Sequence, residues 1–292
     1  MNKIQVNENR KIGEDEPPFI IAEIGNNHNG SLDTAIELIK SAKEAGADAV
    51  KFQVKNIEKS FSKELLDSPY VNENSFGKTY REHKMALEFS EEQLKQLYDY
   101  AAKLDIICFS TPFDTDSVDM LERIGNPMYK ISSFHVTDLE LIEHVCKTKK
   151  PIILSTGMSS VEEIDKAVEL IRKYTENFIL LHCVSCYPTE DEDINLNVIP
   201  TLRERYKCPI GYSGHERGVA ISASTVVLGC CAIERHFTLD RTMKGPDHAS
   251  SVEPLGLNHI VSRSKRLFKS MGKSSKTVLE CELKNRKKFR GY

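Results

Sequence analysis

The chain has 292 residues, of which 40% are hydrophobic and 28% charged, with a formal net charge of −3. That length suits two ordinary domains or one α/β barrel of roughly 250 residues, and the small net charge gives no general attraction to nucleic acid or an anionic membrane. No apolar run approaches the roughly 20 residues of a membrane helix, and the opening segment MNKIQVNENRKIGEDEPP has no signal-peptide core, so the expected location is cytoplasmic.

Apolar, β-branched runs recur along the chain at 19–25 (FIIAEIG), 49–53, 106–111, 128–133, 151–157, 178–184, 209–215 and 232–238. Between them lie stretches with apolar residues at helical spacing, such as Leu32–Ile36–Ile39 and Ile164–Val168–Ile171. Ser90 with Gln93, Thr137 with Glu140 and Ser160 with Glu163 have the spacing of capping boxes and predict helix starts. With a last helix near 255–270, the count predicts a single-domain (β/α)8 TIM barrel over 19–270. The near-continuous apolar runs fit a parallel sheet covered on both faces. A doubly wound open sheet is the rival, and its Gly-rich dinucleotide loop is missing after the first run.

Three segments stand outside the alternation. Residues 1–18 read as an N-terminal extension and 271–292 as a basic tail ending KNRKKFRGY. Residues 54–89 are a long insertion after the second run, placed where barrel loops form walls and lids. The eight cysteines show no disulfide framework; Cys183 and Cys186 have metal-ligand spacing but no second such pair, which makes a weak zinc signal.

Polar residues gather at the C-terminal ends of the apolar runs, the end at which barrel enzymes carry their chemistry. They include Glu23, Lys51, Gln53, Thr111, Lys130, Ser133, Ser155, Ser185, Tyr187, Ser213, His215, Glu234 and His236. A lysine inside a core strand is costly unless paired or neutralised. Lys51 and Lys130, among hydroxyls, therefore point to an anion cradle for phosphate or carboxylate. The alternative is that each is paired with Glu23 or Glu234. His182 reads as a hydrogen-bonded core residue and His28 as a loop-shaping one. His215 and His236 end neighbouring runs and are candidate ligands for one divalent metal with open positions for substrate. Asp247, just beyond, is a carboxylate placed to reach the same centre.

The segments IAEIGNNHNG, ADAVKFQ, FSTPFD, YKISSF, ILSTGM, YPT, IGYSGHERG and IERHFTLDRTMKGPDHASS, in this order, resemble the sialic acid synthase family over roughly residues 19–254. The resemblance implies a metal-dependent condensation of phosphoenolpyruvate with the open-chain aldehyde of an N-acylated hexosamine, giving a nonulosonic acid and phosphate by C–O cleavage. By motif position, His215 and His236 match metal ligands, with Mn2+ first and Mg2+ or Co2+ as alternatives. Lys51, Lys130, Thr111, Ser133, Ser155, Ser185 and Ser213 match the phosphoenolpyruvate cradle. Glu23, Gln53, Tyr187 and Asp247 match residues that contact the sugar or handle protons. The segment GKTYREHKMALEFS leans toward the branch acting on N-acetylmannosamine 6-phosphate.

Two departures from the family pattern bear on the sugar. His135 stands where family members carry a carboxylate, and an imidazole cannot reproduce an acceptor-only group. After Ser270 only 22 residues follow, too few for the family's antifreeze-like domain. The arginine which that domain delivers to the N-acyl group is then expected to be absent, replaced from residues 54–89 or the tail (Arg286, Arg290), or supplied by a separate chain. A homodimer is the family expectation, with no nucleic-acid or membrane partner. The readings in competition are a synthase of another deoxy sugar acid, a metal-independent Schiff-base aldolase using Lys51 or Lys130, and a non-catalytic sugar-phosphate binding barrel.

Overall fold

Every apolar run read from the sequence forms a strand in the computed structural model, which describes residues 3–292. The strands are β1 (Phe19–Gly25), β2 (Ala49–Val54), β3 (Ile107–Pro112), β4 (Tyr129–Ile131), β5 (Ile152–Ser155), β6 (Phe178–Cys183), β7 (Ile210–Gly214) and β8 (Ala232–His236). All neighbours are parallel, and β8 pairs with β1, with Ala232 beside Phe19 and His236 beside Glu23. The ring is closed, which removes the open doubly wound sheet from consideration.

The strands are joined by α1 (Leu32–Ala45), α2 (Glu91–Lys103), α3 (Thr115–Ile124), α4 (Leu139–Lys147), α5 (Val161–Arg172), α6 (Val198–Tyr206) and α7 (Ala220–Ser224), and α8 (Pro254–Met271) completes the outer layer. Ser90 and Ser160 make full capping boxes at the starts of α2 and α5. At α4 the expected start at Thr137 shifts by one residue. Asp138 is the cap, and its carboxylate accepts from Leu141 N at 3.0 Å. In α1, Ser31 caps the first turn and Gly46, at φ 91°, ends the helix in the left-handed region.

Strand residues are buried on both faces, as a sheet enclosed by helices requires. The outward set on β1, Ile20, Ala22 and Ile24, packs into the layer containing Leu38, Ile39 and Ala42 of α1. The inward set divides by depth. Phe19, Ile21, Phe109, Ile153, Ile179 and Ala232 fill the N-terminal half of the barrel. Polar side chains, led by Glu23, Lys51, Lys130 and Glu234, occupy the C-terminal half.

The N-terminal extension is ordered. Ile4–Asn7 and Arg10–Ile12 form an antiparallel hairpin, and Ile4, Val6 and Ile12 join the inner apolar cluster as a plug. Arg10 holds it in place through Asp48, Nε to Oδ1 2.9 Å, while the other oxygen of Asp48 accepts from Ile20 N at 2.8 Å. The insertion after β2 folds into three short helices, Ile57–Ser60, Lys63–Leu66 and Tyr80–Met85, and the last has a full capping box on Thr79. In the basic tail, α9 (Glu280–Arg290) is a solvated helix with no buried residue. Among the described residues no helix is long and apolar enough to cross a membrane.

Candidate active site

A cavity of about 370 Å³ opens at the C-terminal end of the barrel. The strand register brings its walls together: Glu23 pairs with Lys51, Gln53 with Thr111, Cys183 with Ser213, and Ser213 with Glu234. Of the residues singled out as site candidates, Glu23, Lys51, Gln53, Thr111, Lys130, Ser133, His135, Ser155, Tyr187, Ser213, His215, His236 and Asp247 line it. Ser185 is not among the lining residues; its hydroxyl lies against Gly157.

At the floor lies a buried ionic cluster. Lys51 Nζ is 2.7 Å from Glu23 Oε2 and 3.7 Å from Glu234 Oε1, and it donates to Thr111 Oγ1 at 2.8 Å. Lys130 Nζ is 3.8 Å from Glu234 Oε1. Both lysines thus have glutamate partners, so the ion-pair reading of these residues holds alongside any role toward a ligand. Burial opposes the charge on Lys51, but Glu23 and Glu234 outweigh it and raise its pKa. For Lys130 burial wins over Glu234, and its pKa is lowered. Gln53 Nε2 donates to Glu23 Oε1 at 2.8 Å and fixes that carboxylate.

Hydroxyls and a backbone N–H complete this wall. Ser133 Oγ accepts from Gly157 N at 2.9 Å. A Cβ on residue 157 would collide with the hydroxyls of Ser185 and Ser133 and crowd the Cys183 thiol, so glycine alone lets this loop approach. Ser155 Oγ is buried and has no hydrogen-bond partner among the described residues, a polar group a ligand would satisfy. His135 is held through Nδ1 by Ser132 Oγ at 2.8 Å and meets the edge of Phe113, and burial lowers its pKa.

The two histidines stand side by side, ring centroids 5.5 Å apart. His215 Nδ1 donates to Val184 O at 2.8 Å, which leaves Nε2 as the lone-pair nitrogen. His236 is kept neutral by burial, which lowers its pKa. Its Nδ1 has no hydrogen-bond partner among the described residues and lies 3.9 Å from Asp247 Oδ2. Tyr187 packs against His215 at 4.1 Å and presents its face or edge to His236 at 5.9 Å. Two adjoining imidazoles, one with a nitrogen left unpartnered among the described residues beside a carboxylate, fit a divalent cation with open positions. Among the described residues no group of three or more His, Cys, Asp or Glu is gathered tightly enough to hold an ion alone. Cys186 is exposed, whereas Cys183 faces the cavity. His182 donates from Nε2 to Ile194 O at 2.6 Å, away from the cavity wall. His28 stacks on Phe89 and accepts from Gly30 N at 3.0 Å, the loop-shaping role.

The sequence reading passed over several cavity residues. Lys55, Phe61, Tyr80 and Lys84 come from the insertion, and Asn26 and Phe113 from other loops. Lys55 Nζ lies 3.0 Å from Gln53 Oε1, 3.4 Å from Glu88 Oε1 and 4.4 Å above the Phe113 ring. Lys84 rests over Tyr80 at 5.0 Å and Phe61 at 5.8 Å. The usable signal was Tyr80 and Lys84 at i, i+4, which puts both on one helical face.

A model of the NeuB family matches residues 38–276. The chain is 40% identical to the N-acetylneuraminate-9-phosphate synthase of Mus musculus over 275 residues, covering 94% of this chain and 77% of that one. It is 39% identical to the N,N'-diacetyllegionaminic acid synthase of Campylobacter jejuni over 271 residues, 91% of this chain and 81% of that one. The fold superposes on the N-acetylneuraminic acid synthetase of Leptospira borgpetersenii, solved with citrate, at a TM-score of 0.87 and 35% identity. That match spans 100% of this chain and 98% of the other.

Proposed function

The chain belongs to the NeuB family, and from that premise we propose the reaction its cavity serves. The protein is a phosphoenolpyruvate-dependent, C–C bond-forming synthase of sialic-type acids. A bond forms between C3 of phosphoenolpyruvate and the aldehyde carbon of an amino sugar, whose oxygen takes up a proton. Water adds at C2, the C2–O bond to phosphorus breaks, and inorganic phosphate leaves.

The observation that carries this reading is the polar half of the barrel. Two buried lysines meet at its floor, Lys51 paired with Glu23 and Glu234 and Lys130 with Glu234, and Ser155, whose hydroxyl is unpartnered among the described residues, lines the same cavity. In our assignment Lys51 and Lys130 take the phosphate and carboxylate of phosphoenolpyruvate, with Thr111, Ser133, Ser155 and Ser213 as hydroxyl partners. Glu23, fixed by Gln53 and Lys51, and Asp247, held by Asn26 at 3.3 Å, are the groups placed to move protons. Tyr187, His135 and Gln53 face the sugar half. Ser185 acts through Gly157, against which its hydroxyl lies. His215 and His236 would hold a divalent cation, Mn2+ before Mg2+ or Co2+, which when bound polarises the aldehyde oxygen.

The test is phosphate release from phosphoenolpyruvate with N-acetylmannosamine, its 6-phosphate and a diacetamido-hexose, each with and without chelator. Release with one sugar is the expected result. A folded protein that binds phosphoenolpyruvate and releases nothing with any amino sugar would leave the binding-barrel reading instead.

A further inference from the structure

Each candidate metal-binding histidine has a charged neighbour that turns away from the cavity. Glu216 follows His215, and Arg235 precedes His236. The two meet on the far side of the wall, Arg235 Nη1 to Glu216 Oε1 2.9 Å, with side chains 2% and 0% exposed. Arg235 also donates to Glu216 O at 2.6 Å, to Gly218 O at 3.0 Å and to Ser222 Oγ at 2.9 Å. Glu216 in turn accepts from the Tyr212 hydroxyl at 2.9 Å, from Ser222 N at 3.2 Å and from the Ser222 hydroxyl. Gly214, in register with Arg235, makes this possible: a Cβ there would strike the Glu216 carboxylate and the Tyr212 ring.

A buried ion pair is a poor source of stability, because desolvating both charges offsets most of their attraction. What such a network supplies is position, since charge-assisted bonds of fixed direction admit little play. This one ties the segment leaving β7 to the end of β8, one residue away from each imidazole. We propose that the Glu216–Arg235 pair is a clamp that sets the spacing of His215 and His236, and so the affinity of that pair for a divalent cation. The proposal rests on the metal reading above. Glu216 and Arg235 are positioning residues, since neither lines the main cavity.

The experiment is titration of the metal-stripped full chain with Mn2+, reading free Mn2+ by electron paramagnetic resonance, for the parent, Glu216→Gln and Ser222→Ala. Phosphoenolpyruvate affinity is measured in parallel under chelation. Glu216→Gln is expected to weaken Mn2+ binding about 10- to 100-fold, the range seen for groups that orient metal ligands. Phosphoenolpyruvate affinity stays near the parent value, and excess Mn2+ restores turnover. Should Glu216→Gln fail to fold, Ser222→Ala removes one arm of the clamp and is expected to weaken Mn2+ about threefold, the worth of one hydrogen bond. A folded variant with parental Mn2+ affinity overturns the clamp, as does a parallel loss of both affinities, which would mark general structural damage. A parent chain that binds no Mn2+ removes the metal reading and the clamp together, whereas a binding parent with unchanged variants removes the clamp alone.

Discussion

Lys51 Nζ lies 2.7 Å from Glu23 Oε2 at the barrel floor, and each side chain is 3% exposed. Neither charge has solvent to fall back on, so each depends on the other. Replacing Lys51 by Met strands a buried carboxylate and is expected to cost about 3–5 kcal/mol in urea unfolding. Glu23→Gln added to Lys51→Met should recover most of that loss. Simple additivity of the two losses would mean that the pair is not coupled.

His236 has a buried nitrogen with no partner among the described residues, next to Asp247. His236→Ala is expected to abolish metal-stimulated phosphate release while phosphoenolpyruvate still binds. Chelation of the parent should reduce it to the same level. Full turnover after both treatments would sink the metal assignment.

His28 is the pH-sensitive element of the loop after β1. Burial, then the charge of Lys55, pushes its pKa from 6.5 down to about 3. The unfolded chain therefore binds this proton at a higher pH than the folded one. Stability is complete above 6.5 and is lost as pH falls toward 3, by at most roughly 1.4 kcal/mol per pH unit from this group. His28→Asn should flatten the fall in urea midpoint between neutral and mildly acidic pH. An unchanged slope would assign the acid sensitivity to other groups, such as His83, whose pKa burial lowers to about 4.

Lys84 faces the cavity with only aromatic rings beneath it and has no carboxylate within ion-pair distance among the described residues. Lys84→Met is expected to raise KM for an anionic aldose about tenfold, the worth of one charge-assisted contact, with KM for phosphoenolpyruvate unchanged. Equal rises in both would place Lys84 in the phosphoenolpyruvate half.

His135 is held by Ser132 and rests against Phe113. His135→Glu exchanges an imidazole for an acceptor-only carboxylate and is expected to shift the ranking toward N-acetylmannosamine. An unchanged ranking across the sugar panel would show that the position does not select.

The barrel was legible because strands enclosed on both faces must be apolar almost throughout, and runs such as FIIAEIG are. The residues gathered on the cavity were legible for the opposite reason: a lysine or histidine interrupting such a run has to face something polar. The hairpin at Ile4–Ile12 escaped notice because its strands are short and flanked by polar residues, and its apolar side chains gain meaning only from the open barrel end they fill. Lys55 and Lys84 were missed because the folded path of the insertion decides where they point. Glu216 and Arg235 adjoin the two histidines in sequence, yet their meeting depends on the empty space at Gly214, which no local pattern records.

The seam at which Phe19 meets Ala232 and Glu23 meets His236 joins strands from nearly opposite ends of the barrel sequence. During synthesis β1 waits as an unpaired edge until β8 has emerged, exposed to pairing with other chains in the meantime. Glu23 and His236 adjoin across that seam, so no shorter nascent intermediate possesses the cavity. The cavity is therefore complete only when β8, and Asp247 in the loop behind it, have joined the chain.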